Sequence, residues 1–331
     1  MTTSTPITIA SPTPSPTHPS TLPAPAPAAL VTGGGRGIGR LLAQALAGSG
    51  TAVGLVARSG DELDQTVELI ERAGGTAAAA RADVTDAAGL ARAVAGLRSR
   101  LGPMDLLVNN AGVVGPIGPL WEADPDAWWT TMDVNVRGIV LATRLVLPEM
   151  VARRRGRIVN MTSQAGVHRW PLVSAYSVSK AAVVKLSENL AHETARHGVS
   201  VFSVHPGLLP VGMSEDFVAR APASAYEAQV RDWTRAELAA GRGADPDEAV
   251  SLILRLAAGD GDALSGRHLS VHDDLDTVLA HLREVEACDL YLLRPDRLRA
   301  RVSARPRRTT SGPAYFRGRP AAMWRDALGS R

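Results

Sequence analysis

A glycine cluster directly after the first apolar segment constrains the fold of this chain more than any other feature. The segment "AALVT" at 28–32 runs into "GGGRGIG" at 33–39, and a helix-like stretch follows at once. Glycine lets the backbone turn tightly and approach a phosphate, and the start of the next helix offers free N–H groups and partial positive charge. Strand, glycine turn and helix in this order predict a dinucleotide site at the edge of a parallel sheet.

Strand-like and helix-like segments alternate from residue 28 to about residue 275, with short connections between them. This alternation predicts the α/β class, with a single doubly wound parallel sheet (a Rossmann fold) that carries helices on both faces. We expect one domain over 28–288, with a substrate loop at 208–243. The stretch 126–154 is expected to be one helix, and Asp245 is a plausible N-cap because proline follows it.

The two ends of the chain differ from this domain in composition. Residues 1–27 are rich in Pro, Thr, Ser and Ala and predict a disordered leader. Residues 289–331 form an Arg-rich tail that includes "RPRR" at 305–308. A solvated tail is the first interpretation and an anionic partner is the alternative, but no nucleic-acid module accompanies the tail.

Composition bounds the class of protein. The chain is 45% hydrophobic and 21% charged with a net charge of +3, which is typical of a globular protein. It has no apolar run of membrane-spanning length and no secretory signal, so we expect a cytoplasmic protein without a membrane partner. The single cysteine, Cys288, excludes an intrachain disulfide, and we expect its side chain to be buried or half-buried.

The end of the second strand indicates which dinucleotide binds. That strand ends "LVARSG", so Ala57 stands where an acidic residue would hold the ribose 2′-hydroxyl of NAD. Arg58 and Ser59 follow it, and Arg36 lies inside the glycine turn. Guanidinium groups can grip a 2′-phosphate with two parallel hydrogen bonds. The sequence therefore favours NADP(H) over NAD(H).

The chain has only two lysines, and one of them, Lys180, lies four positions after Tyr176 in "SAYSVSKAA". This spacing places both side chains on one face of a helix. Free tyrosine has a pKa of about 10, and a nearby ammonium group lowers that pKa. We therefore expect Tyr176 to serve as a general acid or base. Ser163 ends the segment "GRIVNMTS", where its hydroxyl could polarise a carbonyl oxygen.

Several motifs occur together, in order, across residues 28–275. On them the chain resembles the short-chain dehydrogenase/reductase family. The motifs are "TGGGRGIG" (32–39), "ADV" (82–84), "NNAG" (109–112), "MDVNVRG" (132–138), "IVNMTS" (158–163), "YSVSK" (176–180) and "HPG" (205–207).

The resemblance implies a catalytic set of Asn135, Ser163, Tyr176 and Lys180. In that family the tyrosine donates a proton to the carbonyl, the serine hydrogen-bonds the same oxygen, the lysine lowers the tyrosine pKa and holds the nicotinamide ribose, and the asparagine holds a water. No metal is expected. Together, the resemblance and the glycine and arginine patterns predict a cofactor site of Gly33, Gly35, Arg36, Gly37, Ile38, Gly39, Arg58, Ser59, Asp83, Val84, Asn109, Ala111, Gly112, Tyr176, Lys180, Pro206, Gly207 and Leu209.

The chain departs from the family pattern at two places. Val211 stands where the family often has a threonine that contacts the cofactor, so that contact is weaker or made differently. The last strand leads into "SVHDDLD" instead of a "DGG"-like turn, which leaves the geometry of a tetramer open. A homo-oligomer is expected, and a dimer through the long helices stays plausible.

The substrate side is expected in residues 164–175 and 208–243. Aromatic and basic side chains there suit a fairly large substrate, and a tryptophan pair is expected to pack the helix that carries Asn135. The expected lining residues are His168, Arg169, Trp170, Phe217, Tyr226 and Trp233, and the packing pair is Trp128 and Trp129.

Three functional hypotheses follow. The first is an oxidoreductase that transfers hydride between NADP(H) and a small-molecule ketone or secondary alcohol. The second is an NAD-dependent alcohol dehydrogenase. The third is a noncatalytic dinucleotide sensor whose Arg-rich tail engages a partner, although such sensors usually lose the tyrosine or the lysine.

Overall fold

The computed structural model describes residues 28–294, so the predicted leader and most of the Arg-rich tail lie outside the described residues. A seven-stranded sheet in the order β3-β2-β1-β4-β5-β6-β7 forms the centre, and every neighbouring pair of strands is parallel. The predicted doubly wound sheet is confirmed. Its strands are β1 (Ala28–Thr32), β2 (Ala52–Ala57), β3 (Ala77–Arg81), β4 (Leu106–Asn109), β5 (Gly156–Met161), β6 (Val199–His205) and β7 (His268–Ser270).

Helices cover both faces of the sheet. They are α1 (Gly37–Gly48), α2 (Gly60–Arg72), α3 (Ala87–Leu101), α4 (Pro125–Met132), α5 (Gly138–Arg153), α6 (Ser174–Thr194), α7 (Met213–Ala219), α8 (Ala225–Ala239), α9 (Pro246–Ala258), α10 (Leu275–Ala280) and α11 (Leu282–Ala287). Asp245 caps α9 as expected, since its side chain accepts a hydrogen bond from the Asp247 N–H.

Two apolar layers fix these helices to the sheet. On one face, α1, α2 and α9 bury residues such as Leu42 and Ile253 against the strands. On the other, α3, α5 and α6 bury residues such as Leu97 and Val146. Because β1 and β4 are adjacent while the chain winds outwards from them in both directions, their carboxyl ends leave a crevice at the edge of the sheet.

The stretch expected to be one continuous helix over 126–154 is divided in the structure. A π-helical segment, Asp133–Arg137, separates α4 from α5. The fully buried Asn135 lies inside this wider turn and is hydrogen-bonded to the loop after β4. Sequence periodicity does not reveal such tertiary bonds, and π-turns are frequent at functional sites.

The edge at β7 includes part of the segment assigned to the tail. The His268 N–H donates to the Tyr291 carbonyl at 2.8 Å, and the Tyr291 side chain packs on the core. Arg294 pairs with Glu188 of α6 at 2.6 Å. The expectation for Cys288 is wrong: it is exposed, because α11 turns Val285 towards the core and leaves the cysteine at its outer end. Across residues 28–294, no helix is both long and apolar enough to cross a membrane.

Candidate active site

A cleft of about 1600 Å³, including its open mouth, lies over the carboxyl ends of β1, β2, β4 and β5. Its lining contains nearly every residue that the sequence assigned to the cofactor. These are Gly33, Gly35, Arg36, Gly37, Ile38, Gly39, Arg58, Ser59, Asp83, Val84, Ala111, Gly112, Tyr176, Lys180, Pro206, Gly207 and Leu209. Val211, which stands where the family often has threonine, lines the cleft as well.

The glycine turn forms a cradle that side chains would fill. Gly33 and Gly37 have φ angles of 68° and 53°, and a Cβ on Gly37 would lie 2.9 Å from Gly212 Cα. Helix α1 has no side-chain cap at its start and no acidic residue in its first turn. Its free N–H groups therefore suit an anion, and the cleft fits the pyrophosphate of a dinucleotide.

Asn109 is the one predicted cofactor residue that the structure places elsewhere. It is the last residue of β4, and its buried side chain donates hydrogen bonds to Asn160 Oδ1 at 2.8 Å and to Thr143 Oγ1 at 3.3 Å. The next residue, Asn110, lines the cleft and donates to the carbonyls of Thr32 and Gly33 at 3.1 Å. Successive strand residues point to opposite faces, so the Asn109 side chain serves the sheet, and its assignment to the cofactor stays a prediction.

The two arginines predicted to select NADP(H) have different surroundings. Arg36 forms an ion pair with Asp216 of α7 and lies 3.7 Å from Glu62 of α2. The hydrogen bond and charge of Asp216 raise the Arg36 pKa. Arg58 is exposed at the end of β2. Arg36, which lines the cleft, therefore already has a carboxylate partner with which a 2′-phosphate would have to compete.

The four side chains of the predicted catalytic set come together beside the cleft, which Tyr176 and Lys180 line. The hydroxyls of Ser163 and Tyr176 share a hydrogen bond, and Lys180 Nζ lies 5.5 Å from the centre of the Tyr176 ring. Lys180 Nζ donates to the Met161 carbonyl at 2.9 Å. A Cβ on Gly112 would lie 3.2 Å from Asn135 Oδ1 and 3.6 Å from Lys180 Nζ, so both groups lie beside Gly112.

Asn135 is held by three hydrogen bonds. Its Nδ2 donates to the Val113 carbonyl at 2.8 Å and to Ser179 Oγ at 3.0 Å, and its Oδ1 accepts from the Val113 N–H at 2.8 Å. These bonds tie the π-helical segment to α6 and to the loop after β4. The amide is thereby locked next to Lys180.

The expected effect of the lysine on the tyrosine is corrected by the structure. Burial raises the pKa of Tyr176, and the hydrogen bond from Ser163 only partly opposes this rise. The Lys180 side chain is itself buried, and that burial lowers its pKa to about 8. An ammonium group that loses its own charge so readily stabilises a phenolate less than an exposed one would. The free protein thus keeps Tyr176 protonated.

A second pocket of about 900 Å³, including its mouth, opens beside Ser163 and Tyr176. Trp170, Phe217 and Trp233 line it as predicted, and the rings of Trp170 and Trp233 meet edge to face at 5.2 Å. The other apolar lining residues are Val114, Ile117, Ala165, Val173, Leu208, Met213 and Val230.

Three residues predicted for this lining lie outside it. His168 and Arg169 are exposed after the short 3-10 helix Gln164–Gly166, and Tyr226 turns towards the loop after β4, where its hydroxyl donates to Glu122 at 3.3 Å. The polar lining residues that sequence analysis missed include His205, His272 and Arg242. Of these, only His205 carried a signal, because it ends a strand next to "PG".

Contrary to expectation, the two tryptophans before Asn135 do not both pack against the helix. Trp128 Nε1 donates to Ser174 Oγ at 3.1 Å, which ties α4 to the start of α6. Trp129 is 63% exposed and meets Trp128 edge to face, so it does not pack the helix. Leu120, Trp121 and Val178 are exposed as well.

Comparison with known proteins places the same features in a family. The short chain dehydrogenase family profile matches residues 27–221. A short chain dehydrogenase from Pseudocercospora fijiensis is 34% identical over 76% of this chain and 82% of its own length. Gluconate 5-dehydrogenase from Gluconobacter oxydans is 33% identical over 73% of this chain and 92% of its own length.

Solved structures agree with this assignment. A variant of actinorhodin polyketide ketoreductase with NADPH superposes with a TM-score of 0.66 at 32% identity, covering 74% of this chain and 95% of that one. An NAD⁺-bound xylitol dehydrogenase superposes with a TM-score of 0.66 at 27% identity, covering 73% of this chain and 96% of that one.

Proposed function

The chain belongs to the short-chain dehydrogenase family of oxidoreductases, and from that premise we propose that it reduces a ketone with NADPH or oxidises the corresponding secondary alcohol. The observation that carries the proposal is the position of Tyr176, which lines both the cofactor cleft and the apolar pocket. Its hydroxyl bonds to Ser163, so a carbonyl oxygen placed in the pocket would meet two hydroxyl donors.

The side chains divide the proton chemistry among them. A bound nicotinamide supplies the hydride donor or acceptor. Tyr176 holds the proton that goes to the carbonyl oxygen, and Ser163 donates a hydrogen bond to the same atom. The Lys180 ammonium stabilises the phenolate that remains after proton transfer, and its pKa of about 8 allows it to exchange a proton near neutral pH. Asn135 would hold the water molecule that relays this proton.

NADP(H) is the proposed cofactor. Arg58 is exposed at the end of β2 beside Asp83, and Ala57 leaves no carboxylate to hold a ribose 2′-hydroxyl. Replacing Arg58 with Asp should shift preference towards NADH, and unchanged NADPH affinity in that variant would refute this assignment. An NAD-dependent dehydrogenase is the alternative, and it is favoured by the carboxylates of Asp216 and Glu62 around Arg36.

The substrate is proposed to be an apolar ketone or alcohol that contains a ring. The aromatic edge-to-face pair and the aliphatic side chains of the pocket favour a flat hydrophobic body. We also propose a homo-oligomer, since Trp129 and Val178 expose apolar surface on α4 and α6. A cytoplasmic location remains a prediction from the sequence.

The test is NADPH consumption over a panel of cyclic and aromatic ketones, with Tyr176→Phe beside the wild type. Loss of the Tyr176 hydroxyl should lower turnover about a thousandfold. NADPH affinity should stay within a few fold. Tyr226→Phe is the matched control, because it removes a hydroxyl that bonds to Glu122 outside the pocket. Tight NADPH binding without turnover of any ketone would instead favour the dinucleotide sensor.

A further inference from the structure

We propose that His205 binds a second oxygen atom of the substrate, so that the pocket selects ketones with another carbonyl or hydroxyl oxygen close to the reacting carbonyl. This inference rests on the proposed function, because it names the substrate class of the same pocket. It assigns a role to a side chain outside the predicted catalytic and cofactor sets.

His205 lies next to the reacting groups. It is the last residue of β6, one position beyond Val204, which pairs with Met161 of β5. The β5 chain continues from Met161 to Ser163, so both side chains reach the same end of the sheet. His205, Ser163 and Tyr176 all line the pocket.

The imidazole of His205 has an unmet hydrogen-bonding need. Its side chain is only 8% exposed, and its Nδ1 is buried without a hydrogen-bond partner among residues 28–294. An unsatisfied buried polar atom is costly, so native proteins rarely keep one without a reason. The same ring lines the pocket, so a ligand there would give the imidazole a hydrogen bond that the protein does not supply.

A second buried histidine on the neighbouring strand shows the contrast. His268 of β7 is bonded through Nδ1 to Thr162 Oγ1 at 3.2 Å and to Ser203 Oγ at 3.3 Å. Its Nε2 is also buried without a partner, but His268 does not line the pocket and serves as a link between strands. His205 has no such link, although it is equally buried.

The charge of His205 determines which ligand group it suits. Burial and the nearby histidines 268, 272 and 168 lower its pKa to about 3, so the ring is neutral. A neutral imidazole offers one donor and one acceptor and no net charge. It therefore suits a neutral carbonyl or hydroxyl oxygen better than a carboxylate or phosphate.

The aromatic part of the lining makes this contact selective. Trp170, Phe217 and Trp233 offer a second oxygen little hydrogen bonding. An oxygen held against these rings would be left without a partner, at a cost to binding. Besides His205, the polar side chains of the lining include Ser214, Thr234, Arg242 and His272. The substrate class is thus an apolar cyclic ketone with its second oxygen on the side of His205.

The experiment compares 2,2-dimethyl-1,3-indandione with 2,2-dimethyl-1-indanone, which share a skeleton, cannot enolise at the blocked carbon and differ by one oxygen. The ratio of their kcat/KM values is measured with NADPH in the wild type and in His205→Phe. The dione is also intrinsically more reactive, so the decisive quantity is the change in this ratio between the two proteins. Loss of one hydrogen bond should make the dione-to-monoketone ratio about tenfold lower in His205→Phe than in the wild type.

Matched variants separate this contact from a general structural effect. His192→Phe makes the same change on the exposed side of α6 and should leave the ratio unchanged. His205→Asn and His205→Gln each keep a donor and an acceptor, near the positions of Nδ1 and Nε2, and at least one should restore part of the ratio. His205→Leu replaces the phenylalanine variant if that protein fails to bind NADPH.

Calorimetric binding of both ketones to the protein saturated with NADP⁺ distinguishes the two proposals. Tighter binding of the dione that disappears in His205→Phe supports the inference, even if neither ketone turns over and the proposed reaction fails. An unchanged kcat/KM ratio and unchanged dione affinity in His205→Phe would overturn it. Wild-type protein that binds the dione no more tightly than the monoketone would overturn it as well.

Discussion

The cofactor cleft and the substrate pocket meet at Tyr176 but are built in different ways. The cleft consists largely of main chain and small residues at strand ends, such as 33–39 and 110–112. The pocket consists of large side chains from α7, α8 and the loops after β4, β5 and β6. Recognition by main chain requires a local sequence pattern, whereas recognition by side chains depends on how distant segments pack.

The largest effect is expected for a residue of the cleft whose loss should reduce activity but stabilise the fold. Lys180→Met should lower kcat/KM at least a hundredfold and yet stabilise the free protein at pH 7. A shift of the Lys180 pKa from 10.5 to about 8 corresponds to about 3 kcal/mol for burying the charge. The loss of the hydrogen bond to the Met161 carbonyl offsets part of this gain.

The pH dependence of that gain has a defined sign. Between pH 8 and 10.5 the unfolded chain keeps the Lys180 proton that the folded chain has lost, so wild-type stability rises with pH across this window. The advantage of Lys180→Met should therefore shrink from pH 8 upwards in urea unfolding. Lys185→Met is the control, because Lys185 is exposed and pairs with Glu188 at 3.1 Å. A constant difference from pH 7 to 10.5 would contradict the account.

The next effect is confined to the pocket. Trp233→Ala should raise KM for a bicyclic aromatic ketone about twentyfold, because it removes one ring of the edge-to-face pair and the apolar contact that ring makes. NADPH affinity and turnover of a small acyclic ketone should change little. Steady-state kinetics with both ketones measures this, and Trp121→Ala, at an exposed site, is the control. An equal loss of activity with both ketones would show that the pocket does not discriminate between substrates by size.

A smaller effect is confined to the cleft. Gly37→Ala should weaken NADPH binding about tenfold, because the methyl group would meet Gly212 Cα at 2.9 Å and the φ of 53° disfavours a side chain. Turnover at saturating NADPH should fall less than threefold. Titration of NADPH fluorescence gives the affinity. Gly48→Ala, which has open space around it, should bind like the wild type.

The smallest effect probes the ion pair of Arg36 with Asp216, which joins the two regions. Asp216→Asn should tighten NADPH binding about threefold, since Arg36 then loses the carboxylate it pairs with directly, and an exposed pair is worth under 1 kcal/mol. NADH affinity should not change, because NADH lacks the 2′-phosphate. Asp232→Asn removes a carboxylate of α8 that pairs with Arg231 and Arg235, and it serves as the control. Equal effects on both nucleotides would mean that Arg36 does not contact the 2′-phosphate.

The same division explains what the sequence could predict. The alternation of strands and helices, the glycine turn and the grouping of Ser163, Tyr176 and Lys180 follow from local patterns, and the structure brings these three side chains together. The sequence did not separate the roles of Asn109 and Asn110, because two adjacent asparagines cannot be told apart until the last residue of β4 is known. The sequence placed Tyr176 and Lys180 on one face, but it held no information on burial, which reverses the expected pKa shift of the tyrosine.

The pocket lining was harder to predict because it depends on helices whose packing is not local. Phe217 and Trp233 lie sixteen positions apart on α7 and α8, yet both turn into the pocket, while Tyr226 on α8 turns outwards. Arg242 and His272 reach the lining from segments with no motif of their own. Only the folded chain shows which of these side chains share a surface.

The central claim is that the cleft and the pocket bring a nicotinamide and a ketone together at Tyr176. The most direct measurement incubates the protein with a cyclic ketone and NADPH that carries deuterium at C4 on one face or the other, followed by mass spectrometry of the alcohol. The account predicts one deuterium on the carbinol carbon from only one of the two labelled nucleotides, and almost none with Tyr176→Phe. Tight binding of NADPH with no labelled alcohol from any ketone of the panel would contradict it.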